Sequence, residues 1–191
     1  MTTRAPRSDG TANRARIVVA ARAALSDSNG AIDDLKLHLV AKSAGVGQGT
    51  LYRHFPTREH LLAEVYRHEL GELVDLVPTL LAEHAPLDAL VRWLDRLVEY
   101  AEVKRGVMAA IEAFAWHELY SDQHGRLSEA LAALLREGQR VGDVRPDIDE
   151  ADVIMLLGAL TRIPADEWDA RARTVVAVVV DGLRERPPAT A

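Results

Sequence analysis

Apolar positions recur along this chain at intervals of three and four residues, and no stretch alternates apolar with polar as a half-buried strand does. The pattern predicts an all-α protein of about nine helices. Ile17, Val18, Ala21 and Leu25 form one face of a first helix that opens near Asn13, a residue suited to N-capping, and stops at Asn29-Gly30. Leu37, Val40, Ala41 and Ala44 mark a second, short helix ending at Gly45. A third, of about two turns, runs through residues 50–52. Pro56 ends it, because proline lacks the N–H and biases Phe55 away from helical geometry.

Thr57 is then placed to cap a long helix with Glu59 in its first turn, where the helix dipole favours an anion. Leu62, Val65, Leu73 and Leu76 supply its buried side, and Pro78 is expected to kink or end it. Pro86 suits the first turn of the next helix, which carries Leu87, Leu90, Val91, Leu94, Leu97, Val98 and Ala101. Gly106 marks a break or bend. Met108, Ile111, Ala115 and Leu119 form the following face, and Leu127, Leu131, Leu134, Leu135 and Val141 the one after it. A loop at 142–147 precedes two last helices, 149–162 and 166–185, separated by Pro164. The six residues 175–180, Val-Val-Ala-Val-Val-Val, have the composition of a strand. Helix is the expected outcome, because Trp168, Ala172, Val175, Val176, Val179 and Leu183 keep helical spacing and a lone strand would have no partner.

The longest apolar stretches, 153–160 and 175–180, fall far short of the roughly 18 residues that span a bilayer. The first residues lack a secretory pattern, so a cytoplasmic protein is expected. Among the 191 residues there is no cysteine, which excludes disulfides, thiol nucleophiles and thiolate metal sites. A net charge of −6 argues against nucleic acid as a partner until it is divided along the chain. Residues 1–60 carry nine basic and five acidic side chains, a balance of +4, and the remainder carries −10. A basic module on an acidic body is the organisation this implies. The expected boundaries are a basic arm at 1–12, a DNA-binding domain at 13–60, a helical body at 61–185 and a disordered tail at 186–191.

The segment with the most specific chemistry is 37–62. In a helix-turn-helix the first helix needs a small residue where the second packs on it, and the turn needs a residue tolerant of positive φ. Ala41 and Gly45 meet these needs, and Val40, Ala44, Val46 and Leu51 supply a shared core. The free face of the 47–53 helix can then enter a major groove. Gln48 is the candidate base reader, since its amide can pair with adenine N6 and N7. Thr50, Tyr52, His54 and Arg58 stand at the right intervals to hold phosphates. The candidate contact set is Lys42, Gly47, Gln48, Thr50, Tyr52, Arg53, His54 and Arg58. Arg4 and Arg7 are open to two readings, as a minor-groove arm or as solvated tail charges.

The run Ala41-Lys42-Ser43-Ala44-Gly45-Val46-Gly47-Gln48-Gly49-Thr50-Leu51-Tyr52-Arg53-His54-Phe55-Pro56-Thr57-Arg58-Glu59 resembles the signature of the TetR family of one-component transcriptional regulators, over about 13–62. The resemblance implies a turn at Gly45, a recognition helix around 48–52, phosphate contacts from Tyr52 and His54, and a basic residue, here Arg58, opening the fourth helix. Two positions depart from the pattern. Gly47 stands where many members have Ser or Thr, so a hydroxyl cap and its phosphate contact are missing. Gln48 stands where the subset sharing the Gly-Thr-Leu-Tyr-Arg-His-Phe-Pro run has an aliphatic residue. It is either an adaptation to a particular operator or a tolerated exposed residue. Val91-Arg92-Trp93-Leu94-Asp95-Arg96-Leu97-Val98 with Lys104-Arg105-Gly106 is similar to the ligand domains of an SbtR-like subgroup.

In the body, Trp93, Leu97, Met108, Ile111, Phe114 and His117 are candidates to line a small-molecule effector site, against the plainer reading that they are core. Trp116-His117-Glu118 has no second ligand cluster and no His-Glu-x-x-His spacing, so no metal and no cofactor are expected. Asp147, Asp149, Glu150 and Asp152 read as capping and first-turn charge. No nucleophile, base and orienter set is present in the sequence, so catalysis is not expected. The expected activity is that of a DNA-binding regulator, a repressor released by a small molecule, acting on double-stranded DNA as a homodimer through 149–162 and 166–185. An all-helical enzyme or a protein-interaction module with a vestigial DNA-binding head is the alternative.

Overall fold

The computed structural model describes residues 7–27, 35–110 and 113–185, with side chains at 10–25, 35–102, 125–164 and 166–185. It is all-α, with α1 (Arg7–Asp27), α2 (Leu37–Ser43), α3 (Gln48–His54), α4 (Arg58–Glu83), α5 (Pro86–Ala110), α6 (Ala113–Val141), α7 (Glu150–Leu157) and α8 (Trp168–Leu183). Short 3-10 segments, Gly158–Arg162 and Ala165–Glu167, join the last two helices. The chain divides into two compact units. One lies within Met1–Glu69 and Val103–Trp116, the other within Leu70–Glu102 and His117–Ala191.

In the first unit the predicted faces are buried as the spacing requires. Ile17, Val18, Ala21 and Leu25 from α1 are buried, as are Val40 and Ala41 from α2, Leu51 from α3, and Leu61, Leu62, Val65 and Tyr66 from α4. Glu69 is the buried charged residue of this core, and Arg22 Nε stands 2.6 Å from its carboxylate. Burial of a carboxylate is tolerable only with such a partner.

Several boundaries differ from the sequence reading. α1 opens at Arg7, not near Asn13, so residues 7–12 of the expected arm are helical. No proline follows Pro6 in this stretch, and Gly10 alone costs only about 1 kcal/mol of helix propensity. Asn13 therefore sits inside the helix, where its Oδ1 accepts from Arg16 Nη2 at 2.5 Å. Residues 1–6, with Arg4, the Asn29-Gly30 stop and the tail 186–191 lie outside the described residues.

The second unit is built on Leu90, Trp93, Leu94 and Leu97 of α5, Leu131, Leu134 and Leu135 of α6, and Trp168, Ala172, Val176, Val180 and Leu183 of α8. α4 continues through Pro78 to Glu83 instead of ending there. Proline removes the N–H that would bond to the Val74 carbonyl. One residue earlier, the Leu73 carbonyl accepts the Trp93 indole N–H at 2.9 Å, a buried bond joining α5 to α4. α5 likewise passes Gly106, and α6 is one helix of 29 residues where the sequence suggested two faces on separate helices. No proline interrupts either run, and an isolated glycine does not stop a long helix. These fusions leave eight α-helices among the described residues.

α8 is helical despite its valines, with a buried stripe that uses Val180 and leaves Val175 and Val179 half-buried. Asp149 caps α7 as expected. Its Oδ1 accepts from the Ala151 and Asp152 amides at 3.0 Å, and Asp152 returns the bond to the Asp149 amide. The loop at 142–147 is tied down in a way the sequence did not reveal. Val144 pairs with Arg184 as an isolated antiparallel bridge, with Arg145 N–H bonding the Leu183 carbonyl at 2.9 Å and Glu185 N–H bonding the Asp143 carbonyl at 3.0 Å.

Candidate nucleic-acid interface

Everything that shapes this site follows from the turn between α2 and α3. Gly45 has φ of 65°, a left-handed conformation that glycine enters without steric cost. Its N–H bonds the Lys42 carbonyl at 3.1 Å, and the Val46 N–H bonds the Ala41 carbonyl at 3.0 Å. This is the Schellman pattern, which satisfies the last carbonyls of α2 and turns the chain sharply. Gly47 is the N-cap of α3 and offers no side-chain cap, as the missing hydroxyl implies. Its carbonyl accepts from Thr50 and Leu51 at 2.9 and 3.1 Å.

Leu51 and Phe55, both 1% exposed, anchor the inner side of α3. Phe55 is extended, with φ −133° and ψ 90°, which releases the chain before Pro56. Arg14 holds this corner from α1. Its Nη2 stands 3.0 Å from Glu64 of α4, its Nη1 donates to the His54 carbonyl at 3.5 Å, and its guanidinium lies 4.7 Å from the Phe55 ring centroid. Sequence reasoning counted Arg14 only as charge. Its position one turn before Ile17 and Val18, on the side that packs inward, was the available signal.

With the inner side pinned, α3 presents Gln48, Gly49, Tyr52 and Arg53 to solvent, and Tyr52 is 50% exposed. Lys42 is exposed in the last turn of α2, and Gly47 is exposed at the turn. Thr50 is half-buried and accepts from Arg53 Nη2 at 3.0 Å, while Arg53 Nε donates to the Gly49 carbonyl at 3.1 Å. His54 is half-buried, its ring 6.4 Å from that of Phe55. Arg58, at the start of α4, has Nε and Nη2 shielded from solvent with no hydrogen-bond partner among the described residues. A guanidinium in that state keeps hydrogen-bonding capacity that the described residues do not use. Thr57 Oγ1 lies 2.9 Å from His60 Nδ1 and accepts from the His60 N–H at 3.4 Å, the capping role the sequence suggested. A hydrogen bond from the Thr57 side chain, with lesser help from the backbone N–H and Arg58, holds the Glu59 carboxyl below its ordinary value.

Of the six residues named for an effector site, Trp93 and Leu97 are buried in the second unit, and the Trp93 indole is committed to Leu73. The side chains of Met108, Ile111, Phe114 and His117 lie outside the described residues. No group of three metal-ligating side chains occurs among the described residues. No helix of the described residues is long and apolar enough to cross a membrane.

A helix-turn-helix with an outward polar face on its second helix, set in an all-α chain, defines a DNA-binding transcriptional regulator. Residues 17–65 match the family model described as bacterial regulatory proteins, tetR family, and residues 85–185 match the SbtR-like transcriptional regulator C-terminal domain. The chain belongs to the TetR family. It is similar to the crystal structure of the TetR regulator SCO0520 from Streptomyces coelicolor, at 36% identity and TM-score 0.78, over 91% of this chain and 99% of that one. A TetR regulatory protein from Mycobacterium vanbaalenii is 31% identical, with TM-score 0.68, over 93% and 98% of the two chains. The transcriptional regulator UidR of Escherichia coli is 25% identical over 176 residues, 90% of this chain and 89% of that protein.

Proposed function

We infer that this regulator is a cytoplasmic, non-catalytic repressor that binds a near-palindromic operator as a homodimer and is released by a small-molecule effector. In this reading residues 13–60 are the DNA-binding head, and 61–185 carry effector binding and dimerisation. The observation that carries the DNA part is the sidedness of α3. Leu51 is buried against the core, while Gln48, Tyr52 and Arg53 are exposed to solvent. Gln48 reads a base edge, and Lys42, Thr50, Tyr52, His54 and Arg58 hold phosphates on either side.

Dimerisation is supported by the apolar surface that α7 and α8 leave uncovered. Met155 is 77% exposed, Leu156 51% and Val178 67%. Large apolar side chains exposed on the last two helices are the kind of surface that a second copy would cover. Isologous pairing there sets two recognition helices on one side of the duplex, reading half-sites about 34 Å apart. An effector acts by its differential affinity for the DNA-competent and incompetent states. The family membership over 85–185 supports that input.

Gel-shift titration against the DNA flanking its own gene, with sedimentation mass in parallel, tests the proposal. A dimer giving sequence-selective, salt-sensitive shifts is expected, and a Met155→Glu, Leu156→Glu, Val178→Glu variant is expected to sediment as a monomer and lose the shift. A wild-type protein that stays monomeric on and off DNA would contradict it.

A further inference from the structure

Around the axis of α3 the exposed residues follow in the order Gln48, Tyr52, Gly49, Arg53, so a glycine occupies the middle of the outward face. The protein itself does not require a glycine there. Gly49 has ordinary helical φ, and a Cβ built on it meets no atom within 4 Å beyond its chain neighbours and the backbone of its own helix. Its neighbours do not fill the space either. Arg53 folds back onto the Gly49 carbonyl and the Thr50 hydroxyl without entering it. Glycine within a seven-residue helix lowers its stability relative to alanine. The position therefore carries a cost in the free protein and leaves a notch one methyl group deep in the face that the preceding reading turns toward the major groove.

We propose that Gly49 is a specificity-determining residue, and that the notch seats the C5-methyl of a thymine next to the base pair read by Gln48. The inference rests on the reading of α3 as the recognition helix. The notch floor is the bare Gly49 Cα, an apolar surface, and the neighbouring Arg53 guanidinium is bonded to the Gly49 carbonyl and the Thr50 hydroxyl. The thymine methyl is the apolar group that the major groove presents.

The test uses the full-length protein and an operator duplex selected from a random pool with the wild type. Thermal unfolding and operator affinity are measured for Gly49→Ala, and affinity is measured again on duplexes in which each thymine in turn is replaced by uracil. The expected result is opposite signs: Tm rises by a few degrees while affinity for the thymine operator falls about tenfold. Uracil at one position in each half-site should weaken wild-type binding and restore binding by Gly49→Ala, because the alanine methyl takes the place of the missing thymine methyl. Wild-type loss at that position stands as support even where the variant folds poorly.

Unchanged affinity of Gly49→Ala overturns the proposal, as does weakening that no uracil substitution relieves. The parallel variant Gln48→Ala with Tyr52→Ala separates the two levels. Loss of binding there, with Gly49→Ala neutral, removes only the notch. Unchanged binding in both variants removes the reading of α3 as well.

Discussion

The guanidinium of Arg14 lies 4.7 Å from the centroid of the Phe55 ring while its Nη2 stands 3.0 Å from Glu64, so one side chain of α1 grips the end of α3 and the first half of α4 together. Its partners are the residue that ends α3 and a carboxylate two turns into the next helix. Arg14→Ala should therefore loosen the orientation of α3 as well as lower stability. Arg14 is 41% exposed, which places the ion pair at the weak end of its range, and the cation–π contact adds a similar amount. A loss of about 1–2 kcal/mol in urea unfolding is expected, with weaker operator binding. Arg14→Lys should recover only part of it, since an ammonium lacks the flat fork that serves ring, carboxylate and carbonyl at once. Equal stability of Arg14→Ala and wild type would show that the grip contributes nothing.

Gly138 lies against the loop that joins α6 to α7. A Cβ placed on it would sit 2.5 Å from Val144 Cγ2, and Val144 is buried and paired in the bridge to Arg184. Gly138→Ala should cost about 1–3 kcal/mol, the usual range for overpacking, despite the better helix propensity of alanine. Adding Val144→Ala should return part of that loss by removing the clashing methyl. Thermal unfolding of the single and double variants checks this. A Gly138→Ala variant more stable than wild type would show that propensity outweighs the contact.

Much of this architecture was legible in the sequence where one side chain pattern served one face. Ile17, Val18, Ala21 and Leu25 repeat with helical period because a single side of α1 is buried, and the Ala41 to Phe55 run is legible because its tight turn restricts the residue types allowed. Helix ends were less legible. Gly106 and Pro78 look like stops, yet a long helix absorbs one weak former or one missing N–H when packing holds both sides, as the Trp93 bond to Leu73 does near Pro78. Long-range links left no local trace. Neither the pairing of Val144 with Arg184 nor the Arg14 grip is encoded by the spacing of neighbours, because each joins segments about 40 residues apart.

Trp93 is fully buried, with its indole N–H satisfied by the Leu73 carbonyl. Trp93→Phe removes the donor and part of the ring volume. A loss of about 2–4 kcal/mol in guanidinium unfolding is expected, whether or not an effector is present. A variant of wild-type stability would show that the indole bond and the lost ring volume contribute nothing to the fold.

Glu59 links the cap of α4 to pH. Its carboxyl is held below its ordinary value, first by the Thr57 side chain and then by the backbone N–H and Arg58. A depressed pKa means that the charged form is favoured in the folded state. Its contribution is therefore complete above the unfolded pKa and is lost as pH falls through the folded one. Between roughly pH 5 and 3, Glu59→Gln should show a shallower decline in stability than wild type. Chemical denaturation at a series of pH values measures this. Parallel curves for the two proteins would remove Glu59 from the account.

The central claim is that the outward face of α3, with Arg58 beside it, binds operator DNA. Fluorescence anisotropy of a labelled operator across a salt series, for wild type, Arg58→Ala and Gln48→Ala with Tyr52→Ala, tests it most directly. The account expects tight, selective binding by wild type that weakens steeply with salt. Arg58→Ala should reduce the salt slope by about one. Gln48→Ala with Tyr52→Ala should lose the preference for operator over unrelated duplex. Unchanged affinity, slope and selectivity in both variants would contradict the account.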